Sequence, residues 1–362
     1  MYNDFIIMNF IFFILWFVLA EFLVGSTRFL FRKKTKHVWL TLIIIVLEVL
    51  AAIILAFTVI ATDAGTWFFG PLFFALYIAL FMDAAAHLIF LFIRIFIKKG
   101  NRFAILTIIS NLFAVSFLVF GMMNMQYVKV KYLSYSSTKL VHTYKISFVS
   151  DLHIGKAQTV ETTINTLQKI KKENADFNII GGDLVDEYTK ADEFNKVVKE
   201  LSTFAKPVYF IRGNHELTGA LKLETVETKL SDAGVHVVVD EFVPLASDLT
   251  LLGRDDKDSK SRKKIDELIN PTPASFLLVA DHQPTTFKDN TKLNIDLQLS
   301  GHTHAGQLFP LRWCYSWATY SYGEYRYNGA VMHVSGGAAG WGVPFRTEIS
   351  PEFEIVTIKP SI

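Results

Sequence analysis

A single cysteine, Cys314, excludes an intramolecular disulfide scaffold, and one thiol says little about redox compartment. Proline is sparse, 10 in 362 residues, and no glycine period or heptad array runs through the chain, so collagen and coiled coil are excluded. Disorder is excluded by the opposite observation: 51% of residues are hydrophobic and 14% are aromatic. What the chain lacks after residue 125 is long apolar runs. Nearly all of them lie before it, so the mean hydropathy of +0.32 conceals two unlike halves. The length suggests roughly two or three domains.

Charge divides the same way. Residues 1–140 hold 12 Lys/Arg against 5 Asp/Glu, and residues 141–362 hold 24 against 29. The second half is mildly acidic, which argues against a nucleic-acid-binding surface there. In the first half four apolar runs are long enough to cross a bilayer, at Phe5–Val24, Val38–Ala61, Trp67–Ile97 and Phe103–Met122. Gly70-Pro71 suggests a later start or a tilt for the third. The first is no secretory signal, having no basic region before it and three runs after it.

The loop after the first run carries Arg28, Arg32, Lys33, Lys34 and Lys36, and the loop after the third carries Arg94, Lys98, Lys99 and Arg102. The positive-inside rule makes both cytoplasmic. The N-terminus and residues 123–362 are then extracytoplasmic, and the protein is a multi-pass protein of the cell membrane. Glu21, Glu48, Asp83 and His87 fall within the runs. Asp83 and His87 share a helix face. They either pair with each other or cap a polar patch, or they form a site for a lipid headgroup or partner.

Beyond the membrane half, QYVKVKY at 126–132 alternates as a strand does, and the following YLSYSSTKL reads as a linker. Short β-rich runs then alternate with helical ones: KISFVS, FNII, VYFI, VHVVV, LTLLG, FLLVA, IDLQLS, VMHVS and FEIVTI, with helices at about Thr159–Lys172, Ala191–Ala205 and Leu221–Asp232. This is a layered α/β domain. The boundaries are 1–125 for four membrane helices, 126–144 for the first strand and linker, and 145–362 for the α/β domain.

Five of the strand-like runs end in residues that bind metals or move protons: Asp151 and His153, Asp183, Asn214 and His215, Asp281 and His282, His302 and His304. Ligands of open α/β sheets bind at such carboxyl ends. One of these ends would be a turn; five in one domain form a constellation. Carboxylate, imidazole and amide oxygen without thiolate suit two divalent ions such as manganese, iron or zinc. Gly181-Gly182, Gly213 and Gly301 precede these residues, where the chain turns sharply or packs closely.

DLH, GGD, GNHE, a downstream His and GHTH, in this order from Lys145 to Ile358, resemble the calcineurin-like metallophosphoesterases. GHTHAGQLFP and VPFRTEISPEFEIVTI resemble their membrane-anchored bacterial branch. The resemblance implies a four-layer αββα sandwich. It implies that Asp151, His153 and His304 hold one ion, that Asn214, His282 and His302 hold the other, and that Asp183 bridges both. It further implies that His215 is no ligand but gives a proton or hydrogen bond at the phosphoryl or leaving oxygen, and that a hydroxide between the ions attacks phosphorus. The expected reaction is hydrolysis of a phosphate ester or pyrophosphate, with a lipid-linked or envelope substrate as one partner and membrane lipids as another. The alternative is a sensor that binds a phosphorylated ligand without turnover.

The chain departs from relatives at Ala305-Gly306-Gln307, where many have Gly-Gly-Gln, and at Ser335-Gly336-Gly337, where an arginine is common. Arg254 and Arg346 are substitute phosphate contacts or else surface residues. Asp281 and Glu216 orient a ligand histidine or serve a turn and a helix start. Asp255, Asp256 and Asp258 among lysines read as a solvated loop. The aromatic run Phe309–Tyr327 reads as a groove wall, a membrane-interface element or a lid. His333 and His236, inside strand-like runs, read as structural.

Overall fold

The computed structural model describes residues 38–61, 69–93, 96, 102–155, 157–318 and 320–361. The run at Phe5–Val24 lies outside them. The chain divides into two units, Met1–Met123 and Asn124–Ile362.

The first unit holds helices α1 (Val38–Ala61) and α2 (Phe69–Ile93) and most of α3 (Arg102–Gln126). Gly70-Pro71 falls in the first turn of α2, where a missing N–H costs no helical hydrogen bond. Among the described residues one stretch, Ile108–Gln126, is long and apolar enough to cross a membrane; the apolar stretches Ile45–Leu55 and Leu76–Ile89 are shorter. Tyr77, Phe81 and Phe117 pack together with ring centroids 5.9–6.3 Å apart. His87 Nδ1 lies 3.6 Å from Glu48 Oε2 and 3.4 Å from Asp83 Oδ2, so the three ionisable groups on α1 and α2 are buried together.

The second unit is a sandwich of two mixed six-stranded sheets. The first is built from β1 (Lys129–Ser137), β12 (Glu352–Pro360), β2 (Tyr144–Val149), β3 (Phe177–Ile180), β4 (Val208–Phe210) and β5 (Val235–Val237), in that order. The second runs β10 (Gly323–Tyr327), β11 (Ala330–Val334), β9 (Leu297–Ser300), β8 (Phe276–Ala280), β7 (Leu249–Gly253) and β6 (Glu241–Ala246). The pairs β12/β2, β6/β7 and β10/β11 are antiparallel and the rest are parallel.

The period of two in the strands sorts side chains between layers. In β2 Ile146 and Phe148 enter the core between the sheets, while Val149 joins the core under the helices. In β3 Ile179 goes inward and Ile180 outward, and in β4 Tyr209 opposes Val208 and Phe210. Helices α4 (Val160–Lys172), α5 (Ala191–Leu201) and α7 (Leu223–Asp232) cover the outer face of the first sheet through Leu167, Ile170, Phe194, Val197, Val226 and Leu230. The outer face of the second sheet is covered mainly by short turns and the one-turn helix α8 (Phe287–Asn290). Its fourth layer is therefore thin. Helix α4 starts where the Thr159 hydroxyl accepts from the Thr162 N–H, and it ends with Lys169, Lys171 and Lys172 at the negative pole of its dipole.

Two readings are corrected. Tyr132–Ser137 is not a linker but the rest of β1, which pairs in parallel with β12 from Lys129↔Glu352 to Ser137↔Pro360. Exposed Tyr132, Ser134 and Ser136 alternate with partly buried Leu133 and Tyr135, and the small polar residues hid that alternation. The helix from Ala191 stops at Leu201, four residues early, where Ser202 and Thr203 turn their hydroxyls back onto helical carbonyls.

Candidate metal centre

The parallel strands β2, β3, β4, β8 and β9 carry the chemistry past their carboxyl ends. Main-chain bonds hold these ends together. The N–H of Asp151 donates to Gly182 O and that of His153 to Asp183 O, each at 3.0 Å. The N–H of Gly301 donates to His282 O at 3.0 Å. Ala339 N–H reaches Asp151 O at 2.9 Å, drawing the loop after β11 onto the same site.

Side chains follow. Asp151, His153 and His304 offer donor atoms within 4.8 Å of one another, and so do Asp183, His282 and His302. Asp183 lies between the sets: its Oδ2 is 2.9 Å from His282 Nε2 and 3.7 Å from His153 Nε2. Ring orientation is fixed from behind. His282 Nδ1 faces Gly181 O at 2.8 Å and His304 Nδ1 faces Ala339 O at 3.1 Å, which turns each Nε2 inward. Asn214 Oδ1 is buried without a hydrogen-bond partner. Its neighbour His215 donates its main-chain N–H to Asp183 Oδ1 at 2.9 Å. Buried carboxylates, inward imidazoles and an orphaned amide oxygen fit divalent cations.

The protonation states agree with this fit. Burial opposes the charge on Asp183, yet His282, His215 and His153 hold its carboxyl well below the usual range. Burial opposes the charge on His282 too, but Asp183 and Asp151 raise its pKa well above 6.5. Burial dominates at His153, lowered well below 6.5, and at His302, pushed down to about 4. Asp183 thus favours a positive charge beside it, while burial shifts His153, His302 and His304 towards the neutral form that a ligand needs.

His215 sits beside these donor sets and offers a donor atom within 4.8 Å of those of His153 and Asp183. Its ring is edge-on to His153 at 4.8 Å and tilted against Trp341 at 5.8 Å. Its Nδ1 is 2.9 Å from Glu187 Oε1. Burial disfavours the imidazolium, but Glu187, Asp183 and Glu216 outweigh it and lift the pKa to about 9. Glu216 is a backbone clamp: its carboxylate accepts the N–H groups of Gly213, Asp183, Leu184 and Val185 at 2.6–3.2 Å. It thereby begins the helix α6 (Asn214–Thr218) and fixes the turn of Asp183.

Several expectations change here. Arg254 and Arg346 are neither surface residues nor free for a phosphate, being 2% and 0% exposed. Arg346 donates to the carbonyls of Gly336, Gly337, Ala339 and His304, and Arg254 pairs with Asp240. Asp255 and Asp256 are fully buried rather than solvated, taking Arg212 and Gln283 respectively. Asp281 holds Arg262, Thr286 and Asn290 rather than a ligand histidine. Glu187 and Trp341 were missed; neither belongs to a spacing that marks it. An open groove of about 540 Å³, lined by His142, Tyr144, Asp176 and Lys206, lies at the opposite strand ends and contains none of these groups.

Residues 144–306 match the calcineurin-like phosphoesterase family. The chain carries a calcineurin-like phosphoesterase domain. Such phosphoesterases use a dinuclear divalent metal centre. A Helicobacter pylori protein named an uncharacterized metallophosphoesterase is 30% identical over 242 residues, 64% of each chain. A Campylobacter jejuni protein of the same description is 27% identical over 341 residues, 88% of each chain. A Bos taurus protein named a transmembrane protein with metallophosphoesterase domain is 29% identical over 57% of this chain and 51% of its own. This chain spans about 64% of the length of each of two Helicobacter pylori relatives. Among solved structures, a dimetal phosphatase from Danio rerio aligns over 60% of this chain and 99% of its own, with 10% identity and a TM-score of 0.39.

Proposed function

We propose that the protein is a membrane-anchored, metal-dependent phosphoesterase that hydrolyses a phosphate ester or pyrophosphate. The observation that carries this reading is the placement of Asp183 between two sets of donors, buried except for partly exposed His302, with His215 beside them. Asp151, His153 and His304 would hold one ion, Asn214, His282 and His302 the other, and Asp183 both. Two divalent ions there, of manganese, iron or zinc, would supply Lewis acidity and a nucleophilic water near neutral pH.

The chain's own groups do the rest. His215 carries a proton for the leaving oxygen, and Glu187 keeps it protonated and aimed. Trp341 walls the side of the site next to His215. Glu216 and Arg346 hold the loops that present the ligands.

The membrane part of the reading rests on four apolar runs and on α1 and α3, whose Leu47, Ile108 and Leu112 are more than half exposed. The basic loops put the phosphoesterase domain outside the cytoplasm. Tethering raises the effective concentration of a lipid-linked substrate, which is the class we favour.

The test is hydrolysis of p-nitrophenyl phosphate and its bis-ester by the purified full chain, stripped of metal and then given manganese, zinc, iron or magnesium. Turnover that returns with metal supports the reading. Metal binding without cleavage of either ester or of a lipid pyrophosphate would overturn it in favour of a sensor.

A further inference from the structure

A second group of metal-type donors lies outside the site described above. On β11, Val331 packs between the sheets while Met332 and Val334 face outward, so His333 also points inward. On β12, Val356 and Ile358 pack between the sheets while Phe353 and Ile355 face the helices, so Glu352 and Glu354 point inward as well. An imidazole and two carboxylates thus meet in a layer that is otherwise largely hydrocarbon. They are 1%, 5% and 0% exposed. One donor atom from each lies within 4.8 Å of the others.

Ordinary hydrogen bonding accounts for Glu352 and leaves Glu354 short. Glu352 accepts from Tyr322 Oη and from the Gly336 N–H, both at 3.1 Å, with Lys131 Nζ at 3.7 Å. Glu354 Oε2 is buried with no well-formed hydrogen bond, although the Ser335 hydroxyl lies near the carboxyl. Its Oε1 is 3.4 Å from His333 Nε2, at the far edge of hydrogen-bond range. A fully buried carboxylate oxygen left without a donor is unfavourable, which a cation would offset.

We propose that His333, Glu352 and Glu354 hold a further divalent transition-metal ion between the two sheets. Nitrogen and carboxylate donors without thiolate suit zinc, manganese or ferrous iron. Such ions bind these donors at about 2.0–2.2 Å, so the three must close to about 3–3.5 Å of one another, a small side-chain movement from where they stand. Bound there, the ion ties β11 of one sheet to β12 of the other. It also sits at the base of the loop 335–339, whose Ala338 and Ala339 N–H groups donate to Ser150 O and Asp151 O. The ion is structural, and it steadies Asp151 from behind without touching substrate.

The test is metal content of the full chain in detergent, by mass spectrometry after dialysis against zinc or manganese. Asp151→Asn with Asp183→Asn disables the dinuclear site and leaves the new one untouched. We expect that double variant to retain an ion that Glu354→Gln, added to it, removes. We expect Glu354→Gln or His333→Ala alone to lower the wild-type content by one ion per chain. A folded double variant that binds no ion overturns the proposal, and so does a content that neither Glu354→Gln nor His333→Ala changes. Neither result bears on the dinuclear centre, whose own count is read from the difference between wild type and double variant.

Discussion

Asp151, His153, Asp183, His302 and His304 all have φ between 39° and 73°. Side chains other than glycine rarely adopt this left-handed region, and each such residue costs of order 1–3 kcal/mol. The strain is held by Glu216, by the main-chain bonds of Gly182 and Ala339, and by Arg346. Replacing Glu216 with Ala frees four buried N–H groups, so we expect a loss of about 2–4 kcal/mol in unfolding free energy, read as a lower thermal midpoint. At His215 the expected effect is on the leaving group. His215→Ala should cost about 10²–10⁴-fold for an alkyl ester and much less for a nitrophenyl ester, which needs little proton donation. Because the acid must be protonated and its pKa is raised to about 9, activity should fall as pH rises through that region. Glu187→Gln should move that fall to lower pH. A fall that stays in place would remove Glu187 from its assigned role.

The residues with motif spacing were legible in the sequence because metal donors placed just after buried strands have few other uses. The residues that were misjudged, Arg254, Arg346, Asp255 and Asp256, take their partners from distant segments. No local pattern distinguishes such a charge from a solvated one. Glu187 and Trp341 became visible for the same reason only in three dimensions.

At the scale of elements, apolar runs marked β2, β3, β7, β8 and β9, because strands buried on both faces are nearly continuous in hydrophobic residues. Half-exposed strands were harder. β10 reads GEYRY and β6 reads EFVPLA, with charge or proline inside, and neither was expected. β1 was read short because serines follow its alternating start. The junctions between strand and ligand leave no room. A Cβ on Gly182 would lie 2.7 Å from Gly213 N in a residue with φ of 88°, and one on Gly213 would overlap the Asp183 carboxylate. Gly213→Ala should therefore reduce bound metal and turnover together, while Gly234→Ala, with open space around it but a φ of 82° that strains a side chain, should cost stability and leave bound metal unchanged. Arg346→Lys should behave nearly as Arg346→Ala, since one ammonium cannot reach the four carbonyls the guanidinium fork serves.

For the whole molecule, a dinuclear centre would link folding to metal and to protons. Asp183 and Asp151 raise the His282 pKa well above 6.5, so a cation binding there would compete with a proton. Metal affinity should weaken as pH falls, and chelation should lower the thermal midpoint by an amount that grows with the metal concentration it removes. A midpoint indifferent to chelator would mean that the buried donors bind nothing. The membrane reading makes a separate claim. The full chain should stay with the membrane after an alkaline wash, and protease added outside intact cells should cut within residues 126–362. Cleavage only after lysis would reverse the orientation.

The most direct measurement compares wild type, Asp183→Asn and His215→Ala, each restored with manganese, for bound metal and for hydrolysis of bis-p-nitrophenyl phosphate and an alkyl ester. The account predicts that Asp183→Asn loses turnover and the metal of the dinuclear site, while His215→Ala keeps that metal and loses turnover of the alkyl ester. Full turnover by Asp183→Asn, or an alkyl-ester rate unchanged in His215→Ala, would contradict it.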